Sequence, residues 1–147
     1  AMLTAAFYAG IAITASGTTA VHALSYPLGG KYHIPHGVSN AMLLVPVMKF
    51  NEPACREKFA AAYDRAARVS KAGGTALTAE EKSAWIIQRL ESIVKHLDIP
   101  TSLKDYGIGS EDLEDLVAAG MEVTRLLVNN MREVTPQAAR ELYLSVM

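Results

Sequence analysis

The chain has 147 residues, with 14 lysines and arginines against 15 aspartates and glutamates, and half of its residues are hydrophobic. This length and apolar content fit one folded domain, 1–147, and exclude a disordered chain. The near-zero net charge argues against a nucleic-acid or anionic-membrane partner, because either needs a basic excess. Cys55 is the only cysteine, which excludes a disulfide framework and suits the reducing cytoplasm.

The first thirty residues contain no charged side chain. Polar residues and a proline interrupt this stretch, and it lacks a basic start, so neither a membrane span nor a signal peptide fits. Leu3, Phe7 and Ile11 lie four residues apart and predict a helix over 2–16. Because that helix is uncharged all round, we expect it to be buried on every side. Burying it needs more protein than remains, so we expect the second half of a larger protein.

Two more apolar segments follow. Segment 19–26 ends at a proline, and 27–30, Pro-Leu-Gly-Gly, predicts a turn. The length of segment 38–50 favours a helix over a strand, kinked at the proline within it. The sequence Asn-Glu-Pro at 51–53 predicts a break, with the second proline opening a new helix that runs to about residue 70.

The second half carries clearer helix signals. Thr78 and Glu81 predict a capping box that opens a helix over 78–97. Ser110 is predicted to cap a further helix with acidic residues in its first turn, and Thr135-Pro136 to start the last one. No segment alternates apolar and polar residues as a half-buried strand does. The expected fold is all-α, a bundle of about six to eight helices without a sheet.

Three of the four histidines, His22, His33 and His36, lie within fifteen residues. Neutral imidazole is the commonest protein ligand for zinc and iron, so a metal site is one interpretation. Structural, hydrogen-bonded histidines are the other, and spacing alone leaves both open. No carboxylate occurs before residue 51, so a mixed site cannot be completed locally. His96 ends the capped helix, where an imidazolium suits the helix dipole and indicates a structural role.

The histidine region resembles the iron-containing (group III) alcohol dehydrogenases. Residues 21–30, Val-His-Ala-Leu-Ser-Tyr-Pro-Leu-Gly-Gly, and 34–44, Ile-Pro-His-Gly-Val-Ser-Asn-Ala-Met-Leu-Leu, are similar to that family's pattern of two histidines fourteen residues apart. Met-Lys-Phe-Asn at 48–51 and Asn-Asn-Met-Arg at 129–132 also look like family landmarks. The resemblance covers essentially the whole chain, as the family's helical C-terminal domain.

The resemblance implies a dehydrogenase that moves a hydride between an alcohol or aldehyde and NAD(P), with iron or zinc polarising the oxygen. In that family an aspartate and three histidines hold the metal, and His22 and His36 match the last two ligands. The other ligands and the nucleotide-binding domain would lie upstream of this chain, so the isolated chain is expected to be inactive. The alternative is a non-catalytic helical module that pairs with a separate nucleotide-binding chain or acts alone in an interaction.

Two positions depart from the family pattern. Tyr26 stands where many members carry a histidine that faces the nicotinamide, and Met131 stands where proline is usual. The Tyr26 hydroxyl is a candidate to hydrogen-bond the substrate oxygen or a metal-bound water, and packing against its own helix is the competing interpretation.

The apolar opening also predicts a partner. If the upstream half is absent, we expect Phe7, Ile11 and the helix over 38–50 to form an exposed apolar surface. Such a surface should drive self-association of the chain.

Overall fold

The computed structural model describes residues 1–70 and 77–147, and these ranges contain seven α-helices, two short 3₁₀ turns and no β-strand. The all-α prediction is confirmed. The helices are α1 (Met2–Ser16), α2 (Ala20–Tyr32), α3 (His36–Ser70), α4 (Ala79–His96), α5 (Leu113–Met121), α6 (Thr124–Leu127) and α7 (Pro136–Leu144). The 3₁₀ turns are Leu103–Tyr106 and Ser110–Asp112. None of the helices in the described ranges is both long and apolar enough to span a bilayer.

Helix α2 lies at the centre of the core, in contact with α3, α5 and α6. Its buried stripe repeats at helical spacing, with Ala20, Leu24 and Leu28 fully inaccessible to solvent. Full burial of one such leucine stabilises the fold by about 1.5–3 kcal/mol relative to an exposed one. Helices α3 and α4 pack against each other in antiparallel orientation. Two ion pairs show this, since Lys49 pairs with Glu91 while Asp64, later in α3, pairs with Lys82, earlier in α4.

The predicted turn at 27–30 is wrong, because α2 continues through it to Tyr32. Pro27 removes one backbone donor from the helix, but burial of Leu28 holds the following turn against the core. The chain reverses later, at His33, whose φ of 56° lies in the left-handed region. There the amide of His33 donates to the carbonyl of Leu28 and caps the helix.

The predicted break at 51–53 is also wrong, since α3 is one helix of 35 residues. Asn51 is buried and exchanges two amide hydrogen bonds with Asn130, of 3.0 and 2.7 Å. Glu52 accepts hydrogen bonds from Arg56 and from Ser83 on α4. These contacts of Asn51 and Glu52 stabilise the helix at the point where Pro53 lacks a backbone N–H donor.

Helix α1 is exposed along its whole length, in line with the exposure expected for Phe7 and Ile11 in this chain. The burial expected of α1 within a larger protein stays a prediction. Phe7 and Tyr8 are each 65% exposed and Ile11 is 54% exposed. The expected exposure of the helix over 38–50 is wrong, because its apolar residues face the core. The buried residues of that segment are Ser39, Met42, Leu43, Val45 and Val47. Of the two segments expected to form the exposed apolar surface, only α1 is exposed.

The predicted helix starts in the second half are mostly confirmed. Thr78 and Glu81 form the reciprocal capping box of α4, and the Thr135 hydroxyl caps α7 with Pro136 at its first position. Ser110 is not a cap, because it is the first residue of a 3₁₀ turn. Instead, the Asp112 carboxylate accepts a hydrogen bond from the backbone amide of Gly109, and α5 begins at the next residue, Leu113.

Candidate metal centre

His22 lies near the start of α2, and His36 is the first residue of α3. The chain reverses direction at His33, which has a left-handed backbone conformation, between the two helices. The centroids of the His22 and His36 rings are 5.3 Å apart. The rings are tilted by 57° to one another. Two side chains fourteen residues apart thus share one small region of surface.

The backbone under each histidine is fixed in the same way. The Ser25 hydroxyl donates to the His22 carbonyl at 3.0 Å, and the Ser39 hydroxyl donates to the His36 carbonyl at 3.1 Å. Both serines are almost fully buried, so neither hydroxyl is free to turn to solvent. Buried local bonds of this kind restrict how the helices carrying the imidazoles can shift.

The ring nitrogen Nε2 of His36 lies 2.9 Å from the amide nitrogen of Asn40, one helical turn further on. The amide oxygen of Asn40 is buried and has no hydrogen-bond partner in the described part of the chain. An unpaired buried oxygen costs free energy, so the environment of His36 is not satisfied by the described residues alone. Asn40 is a neighbour that the sequence analysis did not single out.

The donor chemistry fits a divalent metal in part. Burial, and then the charge of His36, lower the pKa of His22, which favours the neutral imidazole that binds metals. Within residues 1–70 and 77–147, no third histidine, cysteine or carboxylate joins the pair in a ligand cluster. The pair therefore supplies half of a four-ligand site, and its two neutral donors bring no negative charge.

Tyr26 lies one turn after His22 on α2, as the predicted helix requires. Its ring centroid is 6.1 Å from that of His36, and the residue is 37% exposed. The guanidinium carbon of Arg125, on α6, lies 6.0 Å from the centroid of the same Tyr26 ring. Tyr26 is thus a partly exposed residue near both the histidine pair and a cation for which the sequence pattern gave no signal.

The remaining histidines lie apart from this pair. His33 is exposed at the end of α2, and His96 is exposed as the last residue of α4. The described residues also form an open groove of about 300 Å³ between α3, α4 and the C-terminus, lined by Met42, Lys49 and Glu91 among others. No histidine lines that groove.

An all-α domain that presents two histidines from adjacent helix starts is similar in arrangement to bundles in which facing helices supply metal ligands. The chain belongs to the iron-containing alcohol dehydrogenases, since the family model "Fe-containing alcohol dehydrogenase family, C-terminal" matches residues 1–147. The resemblance seen in the sequence is confirmed.

Characterised relatives agree with this assignment. Long-chain-alcohol dehydrogenase 1 of Geobacillus thermodenitrificans is 32% identical over 143 residues, or 97% of this chain and 35% of its own length. Lactaldehyde reductase of Escherichia coli K12 is 32% identical over 93% of this chain and 35% of its own length. The 4-hydroxybutyrate dehydrogenase of Clostridium kluyveri is 36% identical over 84% of this chain and 31% of its own length.

The fold is shared with solved structures. The alcohol dehydrogenase from Oenococcus oeni superposes with a TM-score of 0.81 at 27% identity, covering 95% of this chain and 35% of that one. A 1,3-propanediol oxidoreductase superposes with a TM-score of 0.77 at 26% identity, over 88% of this chain and 32% of that one. The chain thus spans about a third of the length of its relatives.

Proposed function

We propose that this chain is the metal-binding domain of an iron-dependent alcohol dehydrogenase, in which His22 and His36 are two of the metal ligands. The observation that carries the proposal is the 5.3 Å approach of the two rings from separate helix starts. Membership of the family supports the choice of metal and of reaction class. Zinc is the alternative metal, because imidazole suits both ions.

The reaction would be hydride transfer between an alcohol or aldehyde and NAD(P). A bound divalent ion supplies Lewis-acid stabilisation of the alkoxide, and the nicotinamide, held by a domain outside this chain, carries the hydride. His22 and His36 would hold the ion, and the buried hydroxyls of Ser25 and Ser39 would keep their backbone in place. The names of the relatives range from long-chain alcohols to lactaldehyde and 4-hydroxybutyrate, so the proposed substrate class is alcohols and aldehydes.

Tyr26 is the proposed catalytic residue of this domain. Its hydroxyl would hydrogen-bond the substrate oxygen and steady it as the proton is lost. The position supports this role, because the ring is 6.1 Å from His36 and partly open to solvent. The competing role is packing, in which the ring only contacts its own helix and the guanidinium of Arg125.

We expect the chain on its own to bind metal weakly and to have no dehydrogenase activity. Two imidazoles are half of a four-ligand set, and no carboxylate in the described ranges joins them. The free energy of zinc binding at complete four-ligand sites is about 10–16 kcal/mol. A site with half of the ligands should therefore bind zinc with a much smaller free energy.

The experiment uses a full-length protein that contains this chain. Iron and zinc content and alcohol-dependent reduction of NAD⁺ and NADP⁺ are measured for wild type, His22→Gln, His36→Gln and the control His33→Gln. We expect the first two variants to lose metal and activity together and the exposed His33 variant to keep both. Full metal content and activity in His22→Gln would refute the assignment of the ligands.

A further inference from the structure

We infer that Arg125 binds a carboxylate on the substrate, so that the site prefers alcohols or aldehydes that carry an acid group at the far end of a short chain. The inference deepens the proposed function and rests on it, because it names the substrate class of the same site. It starts from one cation beside the histidine pair whose charge no other residue in the described ranges neutralises.

The position of Arg125 places its charge within reach of a small molecule bound at the histidines. The guanidinium carbon and the His36 ring each lie about 6 Å from the Tyr26 ring, so no more than about 12 Å separate the two. Both groups lie near the same Tyr26 ring. A molecule lying along Tyr26 would have one end at the imidazoles and the other at the guanidinium.

Arg125 is also available, unlike several other basic side chains of the fold. Lys31 pairs with Asp112 and Asp115, and Arg56 pairs with Glu52. Arg125 is exposed and forms no ion pair with any carboxylate of the described residues, and the Tyr26 ring is its side-chain contact. Its guanidinium can therefore offer a free fork of N–H donors to a planar carboxylate.

The backbone that carries Arg125 is tied to the helix that carries His22. The Asn129 side-chain amide donates to the Arg125 carbonyl at 3.4 Å and to the Thr18 carbonyl at 3.3 Å, just before α2. This link keeps α6 in register with the start of α2. The backbone position of Arg125 relative to the start of α2 is thus held by the fold.

The upper limit of about 12 Å between the guanidinium and the His36 ring favours short ω-hydroxy acids and the matching aldehyde acids. A carboxylate at Arg125 would leave the hydroxyl or aldehyde oxygen at the histidine pair, whereas a neutral alcohol gains nothing from the cation. The other anion that enters such a site is a phosphate of the dinucleotide, and the kinetic experiment separates the two sources.

Binding is tested first on the chain itself by NMR. The side-chain Nε–Hε signal of Arg125, assigned from its absence in Arg125→Gln, is followed while butyrate or 1-butanol is added. An exposed single ion pair is weak, so the titration runs to about 0.5 M butyrate at constant ionic strength. We expect a shift of the Arg125 signal that bends towards saturation with butyrate and no shift with 1-butanol. The control is the exposed Arg89 on α4, whose signal should not saturate. Equal responses of the two arginines, or no response of Arg125, would overturn the inference.

Selectivity is tested in a full-length protein that contains this chain. The measured quantity is kcat/KM for 4-hydroxybutyrate divided by kcat/KM for 1-butanol. Loss of a charged hydrogen bond should lower this ratio about tenfold or more in Arg125→Gln. Arg125→Lys should restore part of it and Arg89→Gln should leave it unchanged.

The outcomes distinguish this inference from the proposed function. An unchanged ratio with a raised KM for the dinucleotide would overturn the inference in favour of a phosphate contact. If the ratio falls in Arg125→Gln while His22→Gln keeps full metal and activity, the carboxylate contact stands and the ligand assignment fails.

Discussion

The packing of α5 against α2 and α7 makes Gly120→Ala a quantitative test of the core. A Cβ at Gly120 would lie 2.8 Å from Cδ2 of Leu24 and 3.0 Å from Oη of Tyr143. Both neighbours are fully buried, and the Tyr143 hydroxyl donates to the Leu24 carbonyl at 2.7 Å. The phenol therefore cannot move away from the added methyl group without stretching a buried hydrogen bond.

The expected loss follows from two opposing effects. Overpacking of a filled core costs about 1–3 kcal/mol, and the better helix propensity of alanine returns up to about 1 kcal/mol. We expect Gly120→Ala to lower the free energy of unfolding by about 1–2 kcal/mol. Gly30→Ala is the matched control, because Gly30 is also helical and a Cβ there meets nothing within 4 Å. It should raise stability by about 0.5–1 kcal/mol.

Urea unfolding followed by far-ultraviolet circular dichroism measures both variants, with unchanged slope confirming that the same state unfolds. Tyr143→Phe alone should cost about 0.5–1.5 kcal/mol through the lost hydrogen bond. Combined with Gly120→Ala it should cost less than the sum, because the phenyl ring removes one of the two close contacts. A Gly120→Ala protein as stable as wild type, with Gly30→Ala behaving as expected, would refute this account of the packing.

Three further predictions concern acid stability, association and the site. The hydrogen bond from Arg56 holds the pKa of Glu52 below 4.5, so its contribution to stability is present above that value and is lost as the pH falls through the lower folded pKa. Glu52→Gln should flatten the pH dependence of urea unfolding between pH 5 and 2. Phe7→Glu combined with Ile11→Glu should shift the chain from associated species toward monomer in sedimentation velocity at tens of micromolar, because α1 is exposed throughout. In a full-length protein, Tyr26→Phe should lower kcat about 10²-fold or more if the hydroxyl positions the proton, and Tyr26→His should restore part of it.

Each of these predictions has an outcome that contradicts it. An acid transition with the same slope and midpoint in Glu52→Gln would show that other carboxylates account for it. Monomeric wild-type chain without binding of a dye for apolar surface would rule out association through α1. Wild-type rates for Tyr26→Phe from pH 6 to 10 would leave Tyr26 as a packing residue.

Local signals in the sequence predicted local structure well. The capping box at Thr78 and the Thr135-Pro136 start are stabilised by atoms within four residues, and both are present as predicted. The turn at 27–30 and the break at 51–53 failed for the opposite reason. Contacts distant in sequence keep both helices continuous. Leu28 packs into the core in α2, and the amide of Asn130 pairs with Asn51 in α3.

The candidate site was predictable only in its short-range part. His22, Tyr26 and His36 lie on one continuous stretch, and the structure brings them together. Arg125 gave no signal, because it comes from a helix about one hundred residues further along that only the tertiary fold places over Tyr26. The exposure of Phe7 and Ile11 was expected, whereas the exposure expected for 38–50 was wrong because the apolar residues of that segment face the core.

The most direct test of the central claim is Co²⁺ binding by the chain, followed by its visible absorption. We expect His22→Gln and His36→Gln each to weaken Co²⁺ binding by about tenfold or more, because loss of a direct ligand should cost at least as much as loss of an outer-shell partner. We expect His33→Gln to bind Co²⁺ as wild type does. Wild-type affinity in both His22→Gln and His36→Gln would contradict the claim that these two imidazoles hold the metal.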